Sequence, residues 1–175
     1  MDQGEVRSRA EAVTGWRYWQ VDPDARASLR SLSQRGYAWP PRAVLVARCA
    51  DGQPHVAPAP WCGCGIHASA DLASLQAQAL CLRPGGLVVG KVALWGPVIS
   101  EERPDGGSGD HRGRFAVPLR LSVVRGTVTG SALDTVVERL GAYAVPVGVV
   151  SLEDAVGEAS ATILRFLTLS ASTAG

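Results

Sequence analysis

Leu87-Val-Val-Gly90-Lys91-Val-Ala-Leu-Trp95-Gly96-Pro97-Val-Ile99 is the stretch that decides the fold. Read with the two-residue period of a strand, it puts Val88, Gly90, Val92, Leu94, Gly96 and Val98 on one face. Leu87, Val89, Lys91, Ala93, Trp95 and Pro97 fall on the other. Both faces are largely apolar, so the segment predicts a central strand covered on two sides. Gly90 and Gly96 mark bends or close backbone approach, and Pro97 predicts a bulge or a free edge at that end.

Outward from this strand, the aromatic and polar alternation of Trp16-Arg-Tyr-Trp19-Gln-Val21 reads as a second strand, stopped by the turn Asp22-Pro23-Asp24. Residues 28–33 read as a short strand, and Arg35-Gly-Tyr-Ala-Trp39-Pro40-Pro41 as a rigid turn. Ala43-Val-Leu-Val-Ala-Arg-Cys49 fits a buried strand, returning through Asp51-Gly52 as a hairpin over residues 53–57. Ser69 or Asp71 can cap a helix carrying Leu72, Leu75, Ala79 and Leu80, with Cys81 as core and Pro84-Gly85-Gly86 as the stop.

Beyond the central strand, residues 101–113 read as a flexible polar loop with a solvated His111, and residues 114–124 resume as a strand, giving a long hairpin. Two helices follow. Ser131 with Asp134 starts one that carries Leu133, Val136, Val137 and Leu140 and stops at Gly141. Ser151 caps the other, with Leu152, Val156, Ala159, Ile163, Phe166 and Leu167 at helical spacing. Residues 143–150 between them read as a short extended segment despite Pro146. The expected fold is α+β: an antiparallel, barrel-like sheet over about residues 16–125, with one inserted helix and two C-terminal helices packed on it. Residues 1–14 are expected as a flexible N-terminal tail, 15–170 as a single globular domain and 171–175 as a frayed C-terminus.

Composition sets the outer bounds. With 175 residues, 46% hydrophobic and 19% charged, the chain can bury a core without staples. A net charge of +1 and the absence of any basic run give no counterion-release affinity for nucleic acid. A polar N-terminus without an apolar core segment, and no apolar run of membrane-spanning length, point to a cytoplasmic address and no membrane partner. Thiols there stay reduced, so the cysteines read as metal ligands, a nucleophile or core. Lys91 is the single lysine against many arginines, a bias typical of high-GC bacterial genes such as those of actinobacteria.

Three of four cysteines and two of three histidines fall between positions 49 and 67: Cys49, His55, Cys62, Cys64 and His67. In an extended segment residues two apart project to the same side, so Cys62 and Cys64 can approach one ion, while Gly63 and Gly65 free the backbone to wrap. A strand end brings Cys49 and the hairpin brings His55, giving a Cys3His set that suits tetrahedral zinc, with His67 as the reserve ligand. The plain alternative makes Cys49 a core residue, His55 a turn residue and only the Cys62–Cys64 pair special. A third makes Cys62 or Cys64 a nucleophile activated by His67 or His55.

Five tryptophans accompany only two phenylalanines. Trp61, Trp39 and Trp95 are the candidates to line a pocket beside the ion, against the plainer reading of bulky core, and Arg17, Arg48, Glu101 and Glu102 read as solvated charges. Trp16-Arg-Tyr-Trp19, Ala47-Arg-Cys49, His55-Val-Ala-Pro58, Cys62-Gly-Cys64-Gly and Leu94-Trp95-Gly96 resemble a family of small actinobacterial and phage proteins, over about residues 16–100. The resemblance implies a shared fold and site without an established activity. The resembled pattern often has Tyr at the position of His67, which favours His55 as the fourth ligand.

Three functions follow as expectations. The first is a small zinc-binding domain that binds a small molecule or peptide in an aromatic-lined pocket. The second is a small biosynthetic or hydrolytic enzyme using the same ion or a cysteine nucleophile. The third is a structural protein that docks through its last helices. A structural ion predicts that metal removal unfolds the domain.

Overall fold

The computed structural model of the chain describes residues 5–21, 28–32, 37–79, 82, 85–103, 108–128 and 130–172. The turn expected at Asp22-Pro23-Asp24, Leu80 and Cys81 lie outside them, as do residues 173–175. The segment read as the central strand is β6 (Leu87–Glu102). It pairs on one flank with β2 (Val13–Val21) and β1 (Glu5–Arg7), and on the other with β7 (Ser108–Val124). Register shifts between Trp95 and Val98 mark the irregularity that Pro97 predicted. Residues 5–14, expected as a tail, thus carry β1, a 3-10 turn at Arg9–Glu11 and the start of β2.

β3 (Leu29–Ser31) extends the sheet beside β2, and β5 (Ile66–Ser69) bridges β2 and β7. β6, β2, β5 and β7 therefore pair in a ring within one eight-stranded sheet, closed on one side by the single pairing of Trp16 with Ser69. The expected strand over residues 43–49 shrinks to β4 (Leu45–Val46) on the edge of β7, and Val44 and Val46 are exposed rather than buried. No hairpin returns from it: residues 53–57 form no strand. The expected polar loop at 101–113 is mostly sheet, because β5 pairs with residues 110–113 and extends the ladder there.

Among the described residues four α-helices cover the sheet. α1 (Leu72–Ala77) starts at Asp71, whose carboxylate accepts from the Ser74 amide at 2.7 Å. α2 (Gly130–Leu140) leads back to β8 (Val147–Val150), which pairs with β7 in parallel, Leu121 opposite Val147. Up to Val124 the sheet is antiparallel, as expected, and the segment read as short and extended adds this one parallel pairing: a helix between two strands lets the chain re-enter the sheet in the same direction. The last expected helix is two, α3 (Leu152–Val156) and α4 (Glu158–Ser172), separated at Gly157. Val136 and Leu140 of α2 pack with Trp19, Val88, Val92 and Leu121 on one face. Leu75, Leu152, Ala155, Val156 and Leu164 pack with Tyr18, Leu87 and Val89 on the other. Alternate residues of β6 thus feed two cores, as its pattern implied. Among the described residues no helix is long and apolar enough to cross a membrane.

Candidate metal centre

Between Ala47, whose amide bonds to the Arg114 carbonyl at 2.8 Å, and β5 at Ile66, the chain leaves the sheet for residues 48–65. Its backbone bonds there are local turns: Gly52 to Cys49, His55 to Gln53 and Cys62 to Ala59. Cys49 stands in the first turn and Cys62 closes the last, so two turns made by unrelated residues meet. The Cys49 and Cys62 Sγ atoms lie 3.8 Å apart, and His55 Nε2 lies 3.2 Å from Cys64 Sγ. Ligand atoms of all four residues fall within 4.8 Å of one another, and all four are partly buried. The cysteines are free thiols.

These distances fit one ion. A tetrahedron with ~2.3 Å metal–sulfur spokes has edges of ~3.8 Å, the Cys49–Cys62 separation. Cys49, His55, Cys62 and Cys64 therefore form a group that could hold a metal, and three thiolates with an imidazole are the donor set zinc prefers.

His67 is outside that group, and its place explains why. It heads β5 opposite Arg112 of β7, so the two side chains rise from the same face of the sheet. His67 Nε2 lies 2.9 Å from the Gly63 carbonyl, and Arg112 Nη1 donates to the carbonyls of Cys62 and, at 3.3 Å, Cys64. A carbonyl only accepts, so Nε2 carries the hydrogen. Burial pushes the His67 pKa down, more than its bond to Gly63 raises it, and nearby Arg17 and Arg112 lower it further, so the ring is neutral at pH 7. All three carbonyls of Cys62-Gly63-Cys64 are thus pinned from below. The reserve ligand holds the loop that carries the ligands.

Of the two glycines beside the thiols, Gly65 is required and Gly63 is not. Gly65 has φ +127°, and a Cβ there would press on the Cβ atoms of Arg112 and Pro58 at 3.1 Å each. A Cβ on Gly63 would meet nothing within 4 Å. Arg112 is the residue that sequence reasoning missed. It is 7% exposed, with Glu101 3.6 Å from its Nε, and it sits where the sequence reads as a Gly-rich loop; no local signal betrays it. Its neighbour His111 is buried as well, its Nδ1 2.9 Å from the Ser100 hydroxyl, not solvated as expected. We expect Arg112→Leu to weaken metal binding by roughly 10- to 100-fold with all four ligands intact, the usual cost of losing a group that orients a ligand. Competition with a chromogenic chelator checks it, and an unchanged affinity would remove Arg112 from the centre.

The tryptophans divide. Trp61 is 80% exposed with its ring 6.1 Å from that of His55, so it does flank the centre. Trp39 is 1% exposed, edge-on to Trp19 at 5.3 Å, and belongs to the core because its amide bonds to Leu29 and its carbonyl to the Tyr143 hydroxyl. Trp95 lies against Phe115 and beneath Arg9. None of the three lines either of the two cavities near the centre. One, of about 320 Å³, is walled by Trp16, Tyr18, Leu75 and Asp110, and the other, of about 260 Å³, by Tyr37, Arg48, Ile66 and Cys64. Arg17 and His67 border both.

No protein-family model, no curated protein and no solved structure matches this chain.

Proposed function

We propose that the protein is a zinc-holding domain in which the ion is structural and fastens residues 48–65 to the sheet. The convergence of Cys49, His55, Cys62 and Cys64 within 4.8 Å carries this reading. Four protein ligands fill a tetrahedron and leave no position for water or substrate, which separates a structural from a catalytic zinc. The long excursion supports it independently: an irregular loop of more than ~15 residues is uncommon without something to hold it. Holding Cys49 and Cys62 on one ion closes the loop where backbone bonds do not.

Small-molecule or peptide binding, a cytoplasmic setting and kinship with small actinobacterial and phage proteins belong to the same proposal. They rest on the sequence patterns. Metal analysis of purified protein tests the central claim. Wild type is expected to carry one zinc per chain and Cys62→Ser to carry little. Wild type that purifies without stoichiometric metal and melts like Cys62→Ser would overturn it.

A further inference from the structure

Arg17 extends from β2, partly buried, without a counter-ion among the described residues. Its Nη1 donates to the His67 carbonyl, its Nη2 lies 3.1 Å from the Ser31 hydroxyl, and its guanidinium carbon stands 5.4 Å from the centre of the Trp39 ring. No carboxylate pairs with it among the described residues, and its Nε is buried with no hydrogen-bond partner. Burial holds its pKa down to about 10, with no anion offsetting it. Such an arrangement is costly unless something else supplies the negative charge.

Ser31 shows the same deficit from the other side. Ser31 is buried, and its hydroxyl oxygen accepts from both Arg17 Nη2 and Trp39 Nε1, each at 3.1 Å. Two acceptor positions are then filled, and the hydroxyl hydrogen remains to be donated. Arg17 and Ser31 both line the cavity of about 260 Å³ beside Cys64, together with the phenol of Tyr37 and the exposed Arg48. Among the described residues that wall holds no Asp or Glu. Even if three thiolates and a zinc leave one negative charge at the centre, two guanidiniums leave the wall positive. Leu45 and Ile66 give the cavity an apolar part, so an organic body fits behind a charged head.

We propose that this cavity is a binding site for a small organic anion, whose carboxylate or phosphate group is held by Arg17, Ser31 and Arg48. Planar guanidinium forks match either oxyanion, and the Ser31 hydroxyl supplies a further donor. Recognition needs the cavity wall and not the ion, so the inference stands apart from the zinc reading.

Calorimetric titration of the purified protein with inorganic phosphate and with benzoate, at constant ionic strength set by chloride, tests it. At least one probe should bind saturably, phosphate if the head group is a phosphate and benzoate if it is a carboxylate. Arg17→Met should weaken that binding at least tenfold and Ser31→Ala severalfold. Arg48→Ala, at an exposed side chain that does not threaten folding, should weaken it severalfold as well. Absence of saturable binding by both probes overturns the proposal, as does wild-type affinity in both Arg48→Ala and Ser31→Ala. Metal content measured on the same samples keeps a failure of the zinc reading separate from a failure of this one.

Discussion

Stripping the ion with a strong chelator is expected to loosen residues 48–65 and leave the sheet standing. The two apolar cores draw on β2, β6, β7 and the helices, and no residue of that excursion is in either. Within it only Ala57, Pro58 and Ala59 are buried, and its backbone bonds are local turns. An ion there stabilises by closing the sixteen residues from Cys49 to Cys64, a span whose closure entropy grows as ~1.5 RT ln n, on the order of 2–3 kcal/mol before the constant term. Hydrogen exchange should therefore speed up across residues 48–65 on chelation while amides of β6 and β7 stay protected. Cys49→Ser, Cys62→Ser and Cys64→Ser should reproduce that pattern. If four ligands share the ~10–16 kcal/mol of a structural zinc evenly, each carries ~3 kcal/mol, or about two orders of magnitude in affinity. Global unfolding on chelation would show that the ion holds the whole domain, and unchanged exchange in 48–65 would show that it holds nothing.

That outcome differs from the whole-domain unfolding expected on the sequence, and the difference is physical. The cluster of Cys49, His55, Cys62 and Cys64 was legible because soft donors are rare and here concentrated between Cys49 and His67. β6 was legible because apolarity on both faces has one structural meaning, and α1 because Asp71 is a good cap. Pairings between distant segments were not legible. Residues 108–113 look like loop and become strand because β5 lies beside them, and His111 and Arg112 become buried with them. Residues 43–49 look like a core strand yet pair only with β7; Leu45 and Ala47 pack against the core, while Val44 and Val46 on the other face stay in water. Trp39, followed by two prolines, reads as a turn; a bridge between Arg30 and Ala38 carries it inward instead. The parallel return of β8 is set by α2 packing on the sheet, which local periodicity does not encode.

Gly90→Ala is expected to cost ~3 kcal/mol or more of folding stability, at the upper end of what overpacking does. Gly90 lies near the start of β6, paired on both sides, opposite Arg17 of β2 and Leu121 of β7. A Cβ there would stand 2.0 Å from the Arg120 carbonyl oxygen and 3.2 Å from the Leu121 Cα. Backbone, not a flexible side chain, occupies the space, so β7 would have to move by more than an ångström or surrender its ladder. Little freedom exists for that: the register shifts one step on, between Lys91 and Val92, and Val88, Val92, Leu121 and Val123 beside it are fully buried. Arg17, on the paired strand, would move with the sheet, so the cavity wall should suffer along with the core. Gly63→Ala supplies the contrast, since a Cβ there meets nothing within 4 Å, and its effect should stay within about 0.5 kcal/mol although it sits between two ligands. Urea denaturation of both variants reads the difference. Equal midpoints would mean that the approach of β6 to β7 at Gly90 is not what fixes this sheet.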